Sequence, residues 1–249
     1  MEMLLIILAN AVVGFIVGVC GVSGFLLPMF YAAVTHFSVG EYLALSYFAF
    51  IFSGLLATVG CKDGISREKK TIGWLCLGSA IGAVFGVKLN SFIAPQHVKI
   101  ILYVVVLLAG ISILVTGRKN KKAVGRSRKL DSRVFMLAFG VVTGTVCAIG
   151  GSGGPILVMP LITAMGMEVH TAMAVGLLDS LFVSGPAFVG YIRAVDAGSL
   201  AVYMAVILVS YGGAALVGRK LSSKIASEPL KKAVGVFSII ISIYMLWTV

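Results

Sequence analysis

The chain has 249 residues, of which 59% are hydrophobic and only 12% charged, and its mean hydropathy is +1.08. Soluble domains carry about 25% charged residues, so a water-soluble globular fold is excluded and the chain reads as an all-α integral membrane protein in a lipid bilayer. The net charge of +11 does not point to nucleic acid, because the basic residues fall in the gaps between apolar runs, where membrane topology places them.

The first uncharged run covers residues 3–40 and is interrupted by Gly14-Phe-Ile-Val-Gly18-Val-Cys20-Gly21-Val22-Ser23-Gly24-Phe25-Leu-Leu-Pro28. Runs at 42–61, 71–87 and 100–117 follow, each of a length that spans a membrane as one helix. Between Arg118 and Arg133 stand eight Lys/Arg and one Asp. The pattern then restarts. Residues 134–167 carry no charge and contain Gly144-Thr-Val-Cys147-Ala-Ile-Gly150-Gly151-Ser152-Gly153-Gly154-Pro155-Ile156-Leu-Val-Met159-Pro160. Further runs lie at 171–192, 197–218 and 233–249.

The two halves repeat one another. Both interruptions read Gly-x-x-x-Gly, then Cys, then Gly-x-Ser-Gly, then Pro, and Gly86-Val-Lys88-Leu89 matches Gly218-Arg-Lys220-Leu221. The organisation expected is a first repeat at 1–117, a basic cytoplasmic linker at 118–133 and a second repeat at 134–249. Each repeat holds a broken helix or hairpin plus three full spans, giving 8–10 membrane segments. An odd number of crossings per half puts 17 of the 20 Lys/Arg on one side and only Lys88, Lys99 and Arg193 on the other. Positive-inside topology therefore favours inverted repeats with both termini outside. Glycine every fourth residue, at 14/18, 78/82/86 and 140/144, is the spacing of close helix packing.

The breaks carry the chemistry. Glycines and a serine in a row make a poor helix interior, and Pro155 suits the first position of a new helix. The expected result is a pair of helix N-termini with unpaired N–H groups near the membrane midplane, a setting that binds anions. Candidate ligands are Gly21, Val22, Ser23, Gly24 and Phe25 in the first copy. In the second they are Gly150, Gly151, Ser152, Gly153, Gly154 and Ile156. A tight helix crossing that needs glycine is the alternative reading.

Asp179 is the one acidic residue well inside an apolar run, so it is a candidate for coupling or gating through a proton or a cation. A structural hydrogen bond to Ser180 or Ser184 is the competing account. Cys20 and Cys147 occupy equivalent places in the repeats and, with Ser46, Tyr47 and Ser53, are weaker cavity candidates. His36, His97, His170, Glu41 and Glu168 lie at run ends, where interfacial solvation explains them. The four cysteines form no CxxC and no zinc spacing, so neither metal nor cofactor is expected. Gly-x-Ser-Gly also fits an intramembrane serine protease, but both copies lack a histidine deep in the membrane, and a nucleophile needs its base within reach. No enzymatic activity is expected.

The two halves, the basic linker and above all Gly-Gly-Ser-Gly-Gly-Pro-Ile-Leu-Val-Met-Pro resemble the TauE/SafE sulfite exporter family, also called TSUP. The first copy, Gly21-Val-Ser-Gly24, is shorter and less glycine-rich than that motif. The resemblance implies a secondary transporter in a prokaryotic plasma membrane that exports sulfur-containing anions, sulfite or organosulfonates such as sulfoacetate. A passive anion channel is the runner-up, and a homodimer is left open.

Overall fold

The computed structural model describes residues 2–21, 24–60, 68–119, 127–222 and 227–248. Among them every regular element is a helix. The first half contains α1 (Glu2–Cys20), α2 (Leu26–Val34), α3 (Val39–Gly60), α4 (Lys69–Asn90) and α5 (Pro95–Lys119). The second contains α6 (Arg133–Gly150), α7 (Val158–Ala164), α8 (Val169–Ile192), α9 (Ala197–Leu221) and α10 (Ser227–Thr248). Seven of the described helices are long and apolar enough to cross a bilayer, and Gly154–Ala164 and Lys232–Trp247 are shorter apolar segments. The chain is a multi-pass membrane protein. Large apolar side chains such as Leu4, Val134, Val142 and Ile240 stay exposed on its outside, as a lipid-facing surface requires.

The helix starts are set locally. Ser38 and Glu41 make a reciprocal capping box at α3: Glu41 Oε2 accepts from the Ser38 N–H at 2.7 Å, and Ser38 Oγ accepts from the Glu41 N–H at 3.4 Å. Ser132 caps α6 through the Phe135 N–H, and Asp196 caps α9 through the Gly198 N–H.

Each half opens with a helix that folds back on itself. After α1 breaks, α2 runs about 13 Å at 1.5 Å per residue, too short to cross. Asn10 Nδ2 donates to Tyr31 Oη at 2.7 Å, joining residues 21 apart across the turn, so α2 lies antiparallel against α1. In the second half the Ser127 N–H donates to Met165 O at 2.9 Å, which brings the end of α7 level with the approach to α6. Among the described residues each short helix therefore turns back toward the start of its half.

The long helices pair reciprocally. The first of each half packs on the third of the other (α1 on α9, α6 on α4), the second on the second (α3 on α8), and the fourth on the fourth (α5 on α10). Glycine makes these contacts close. A Cβ at Gly78, Gly82 or Gly86 would strike the backbone oxygen of Leu137, Val141 or Thr145 on α6, and Gly140 and Gly144 return the contact against Leu75 and Ser79. On the other side Gly14 and Gly18 press on Tyr211 and Ala215, and Gly218 presses on Phe15. With lipid as solvent, such van der Waals contact is the main attraction between helices. Thr145 Oγ1 adds a bond to Gly82 O at 3.0 Å.

Candidate functional site

The second break uses each glycine differently. Helix α6 ends at Gly151, whose φ of 62° lies in the left-handed region and whose N–H returns to Cys147 O. The Ser152 N–H reaches the same oxygen at 3.1 Å. Gly153 is extended (φ −78°, ψ 159°), and a single 3-10 turn, Gly154–Ile156, leads with Pro155 toward α7. Gly154 lies flush on α8: a Cβ there would sit 2.7 Å from Gly176 O and 2.8 Å from Asp179 Oδ2. Gly176 reciprocates, its own Cβ position being 2.9 Å from Pro155 Cα.

The first break leaves its helix the same way. Gly21 has φ 69°, and its N–H donates to Val17 O at 2.7 Å. Val22 and Ser23 lie outside the described residues, as does the Cys20 side chain. The chain re-enters helix through Gly24 and Phe25 with no side-chain cap. Among the described residues nothing accepts from the N–H groups of Gly24 or Phe25, nor from those of Gly153 or Gly154.

The two breaks meet at one cavity. Gly21, Gly24 and Phe25 wall it from the first half, and Gly153, Pro155 and Ile156 from the second. Its remaining sides are Phe50 and Ser53 of α3, Leu177 and Ser180 of α8, and Val17 of α1. Phe50, Ser53, Leu177 and Ser180 sit near the middles of two membrane-length helices, so the cavity lies at mid-depth. It offers about 20 Å³, room for a single water molecule. Ser53 Oγ is paired with Tyr211 Oη, held there by a π turn at Leu208–Gly212 inside α9. Such turns recur at functional sites. Ser180 Oγ donates back to Leu177 O at 2.6 Å.

Several sequence candidates are near the cavity without lining it. Gly150 and Gly151 form the helix end. Ser152 is fully buried and its hydroxyl finds no hydrogen-bond partner among the described residues. Cys147 turns its thiol toward Gly153 O at 3.9 Å, beneath the break. Ser46 Oγ donates to Tyr42 O within its own helix. Tyr47 Oη donates to Cys147 O at 2.6 Å and Ala148 O at 3.0 Å, so it caps the end of α6.

Asp179 is fully buried against the second break, beside Gly154, and is not among the residues that line the cavity. Neither carboxyl oxygen has a hydrogen-bond partner among the described residues. The proposed bonds to Ser180 and Ser184 are not made: Ser180 serves its own helix, and the Ser184 hydroxyl is itself unpartnered. Ser79 of α4 is the hydroxyl that faces the carboxyl, without closing to bonding distance.

Phe50, Leu177 and Ser180 escaped the reading of the sequence. A signal was present: Phe50/Ser53 and Leu177/Ser180 are both i, i+3 pairs ending in serine, 127 residues apart (177 − 50 and 180 − 53). That register puts Phe52 opposite Asp179.

A family model described as sulfite exporter TauE/SafE matches residues 6–245. No curated protein and no solved structure matches the chain.

Proposed function

The chain belongs to the sulfite exporter TauE/SafE family of membrane transporters, and from that membership we propose that it exports small sulfur-containing anions, sulfite or an organosulfonate such as sulfoacetate, across a prokaryotic plasma membrane. The carrying observation is the meeting of both breaks at a single mid-depth cavity. Non-helical backbone at that depth persists only where protein or a water-filled space surrounds it. Here it supplies four N–H groups with no acceptor among the described residues, beside the Ser53 and Ser180 hydroxyls that are already engaged with Tyr211 and Leu177, and no described lining residue is charged. A sulfur oxyanion matches those N–H donors, because each of its oxygens accepts more than one hydrogen bond. The site needs no buried arginine.

At about 20 Å³ the cavity is too small for the anion. The conformation is closed, and transport requires the breaks to separate from α3 and α8. Alternating access fits this: the halves act as inverted repeats that open the site to one side and then to the other. Two observations support the inversion. The short helices turn back toward the start of their halves through Asn10–Tyr31 and Ser127–Met165, which on this reading leaves three crossings per half, and the helix pairing between halves is reciprocal. Asp179 takes the coupling role. A fully buried carboxyl without a hydrogen-bond partner calls for a proton or a cation beside it, and movement of Gly154 across its face would link that ion to the anion site.

The test is flux of radiolabelled sulfite and sulfoacetate in proteoliposomes. Saturable counterflow driven by unlabelled anion supports a transporter. A steady anion conductance under voltage without counterflow would establish a passive channel instead.

A further inference from the structure

We propose that the Phe50 ring is the plug of this cavity and sets the size of the anion admitted. The proposal rests on the reading of the cavity as the anion site. Phe50 is central in α3 and only 2% exposed. Its ring bridges the breaks of both halves. A Cβ at Gly24 would lie 2.9 Å from Phe50 Cε1, and one at Gly153 would lie 3.8 Å from Phe50 Cδ2. The ring therefore fills the gap between the two backbone segments whose N–H groups have no acceptor among the described residues. Its counterpart from the other half is the smaller Leu177, whose Cδ1 stands 3.1 Å from the Cβ position of Gly21. The duplicated wall is thus asymmetric, and the asymmetry is one phenyl ring.

The plug is held from behind. Tyr47, one turn earlier, meets the Phe50 ring edge-on, with centroids 5.9 Å apart and planes at 88°. Tyr47 in turn stacks on Tyr191 of α8 at 5.8 Å and 2°. Both tyrosine hydroxyls donate to Ala148 O, at 3.0 and 2.8 Å. The ladder Phe50–Tyr47–Tyr191 is therefore fastened to the last turn of α6, directly before Gly150. Displacement of the second break relative to α3 breaks the hydroxyl bonds and frees the ring, while a ring in place leaves space only for water. An anion enters as the ring swings out, and the room vacated by the phenyl limits its size.

The experiment is calorimetric titration of purified full-length protein with sulfite, methanesulfonate, sulfoacetate and benzenesulfonate. It compares wild type, Phe50→Leu, Phe50→Ala, Phe50→Trp and Gly153→Ala, with melting curves for each. Phe50→Leu copies the Leu177 wall and keeps an apolar side chain, so it stands in if Phe50→Ala fails to fold. The expected result is at least a tenfold shift in affinity ratio toward the larger sulfonates in Phe50→Leu or Phe50→Ala, and loss of all binding in Phe50→Trp. An unchanged ratio in folded Phe50→Leu overturns the plug. If Gly153→Ala removes binding while that ratio stays unchanged, the plug alone is wrong. If Gly153→Ala binds as wild type does, the cavity is not the anion site and both readings fall.

Discussion

Gly153→Ala separates a backbone anion site from a packing glycine, because at this position the two make opposite forecasts. The backbone at Gly153 has φ −78° and ψ 159°, a conformation open to any residue. A Cβ there would meet Pro155 Cδ and Ser180 Cβ at 3.6 Å and Phe50 Cδ2 at 3.8 Å, all ordinary contacts. Alanine therefore fits without strain, and by restricting the unfolded chain it stabilises by about 0.4–1 kcal/mol. The same methyl stands on the cavity wall, where the space is about 20 Å³. An anion held off the Gly153 N–H loses a charge-assisted hydrogen bond of about 1.5–3 kcal/mol, roughly a 10- to 150-fold loss of affinity at about 1.4 kcal/mol per decade. The control is Gly151→Ala. Its φ of 62° costs an L-residue about 1–2 kcal/mol, and its Cβ would lie 2.5 Å from Leu43 Cδ2, so that variant melts at lower temperature. Titration with sulfite and sulfoacetate, paired with melting curves, measures both effects. A Gly153→Ala protein that melts at or above the wild-type temperature and binds with wild-type affinity refutes the argument.

Four further outcomes are expected. Asp179→Asn leaves sulfonate affinity within about threefold but flattens the pH dependence of flux; an unchanged pH profile reduces Asp179 to a structural residue. Gly82→Leu, which drives a side chain into Val141 O, prevents recovery of folded protein from detergent, whereas Gly73→Ala, with nothing within 4 Å, melts as wild type or gains up to about 1 kcal/mol of helix propensity. In a background without native cysteines, Phe92→Cys is labelled from outside intact cells by an impermeant maleimide and Lys129→Cys only after permeabilisation; the reverse pattern overturns the positive-inside assignment. Tyr211→Phe leaves Ser53 Oγ without its partner, and the expected loss of stability is about 1–3 kcal/mol, read from unfolding midpoints.

Much of this molecule was legible in one dimension. Lipid and protein interior are both apolar, so a membrane helix announces itself by composition and length, and the runs at 42–61, 71–87 and 171–192 appear as α3, α4 and α8. The glycine spacing announced its own packing, because only a missing Cβ admits the carbonyls of Leu137 and Val141. The duplicated Gly-x-Ser-Gly located the break in each half, since it offers the glycine that leaves the helix in the left-handed region, at Gly21 and at Gly151. Tertiary structure alone decided which of those residues face the cavity. A break offers several glycines in a row, and each points differently: Gly153 lines the cavity, Gly154 lies against α8, and Gly151 serves the helix end. It decided that the chain folds back, through Asn10–Tyr31 and Ser127–Met165, contacts between residues 21 and 38 positions apart (31 − 10 and 165 − 127) that no local pattern encodes. And it supplied Phe50, Leu177 and Ser180. In an apolar run any side chain is as compatible with lipid as with protein, so hydropathy carries no information about which face of α3 or α8 turns inward; only the rotation set by the packing of one helix against the other does.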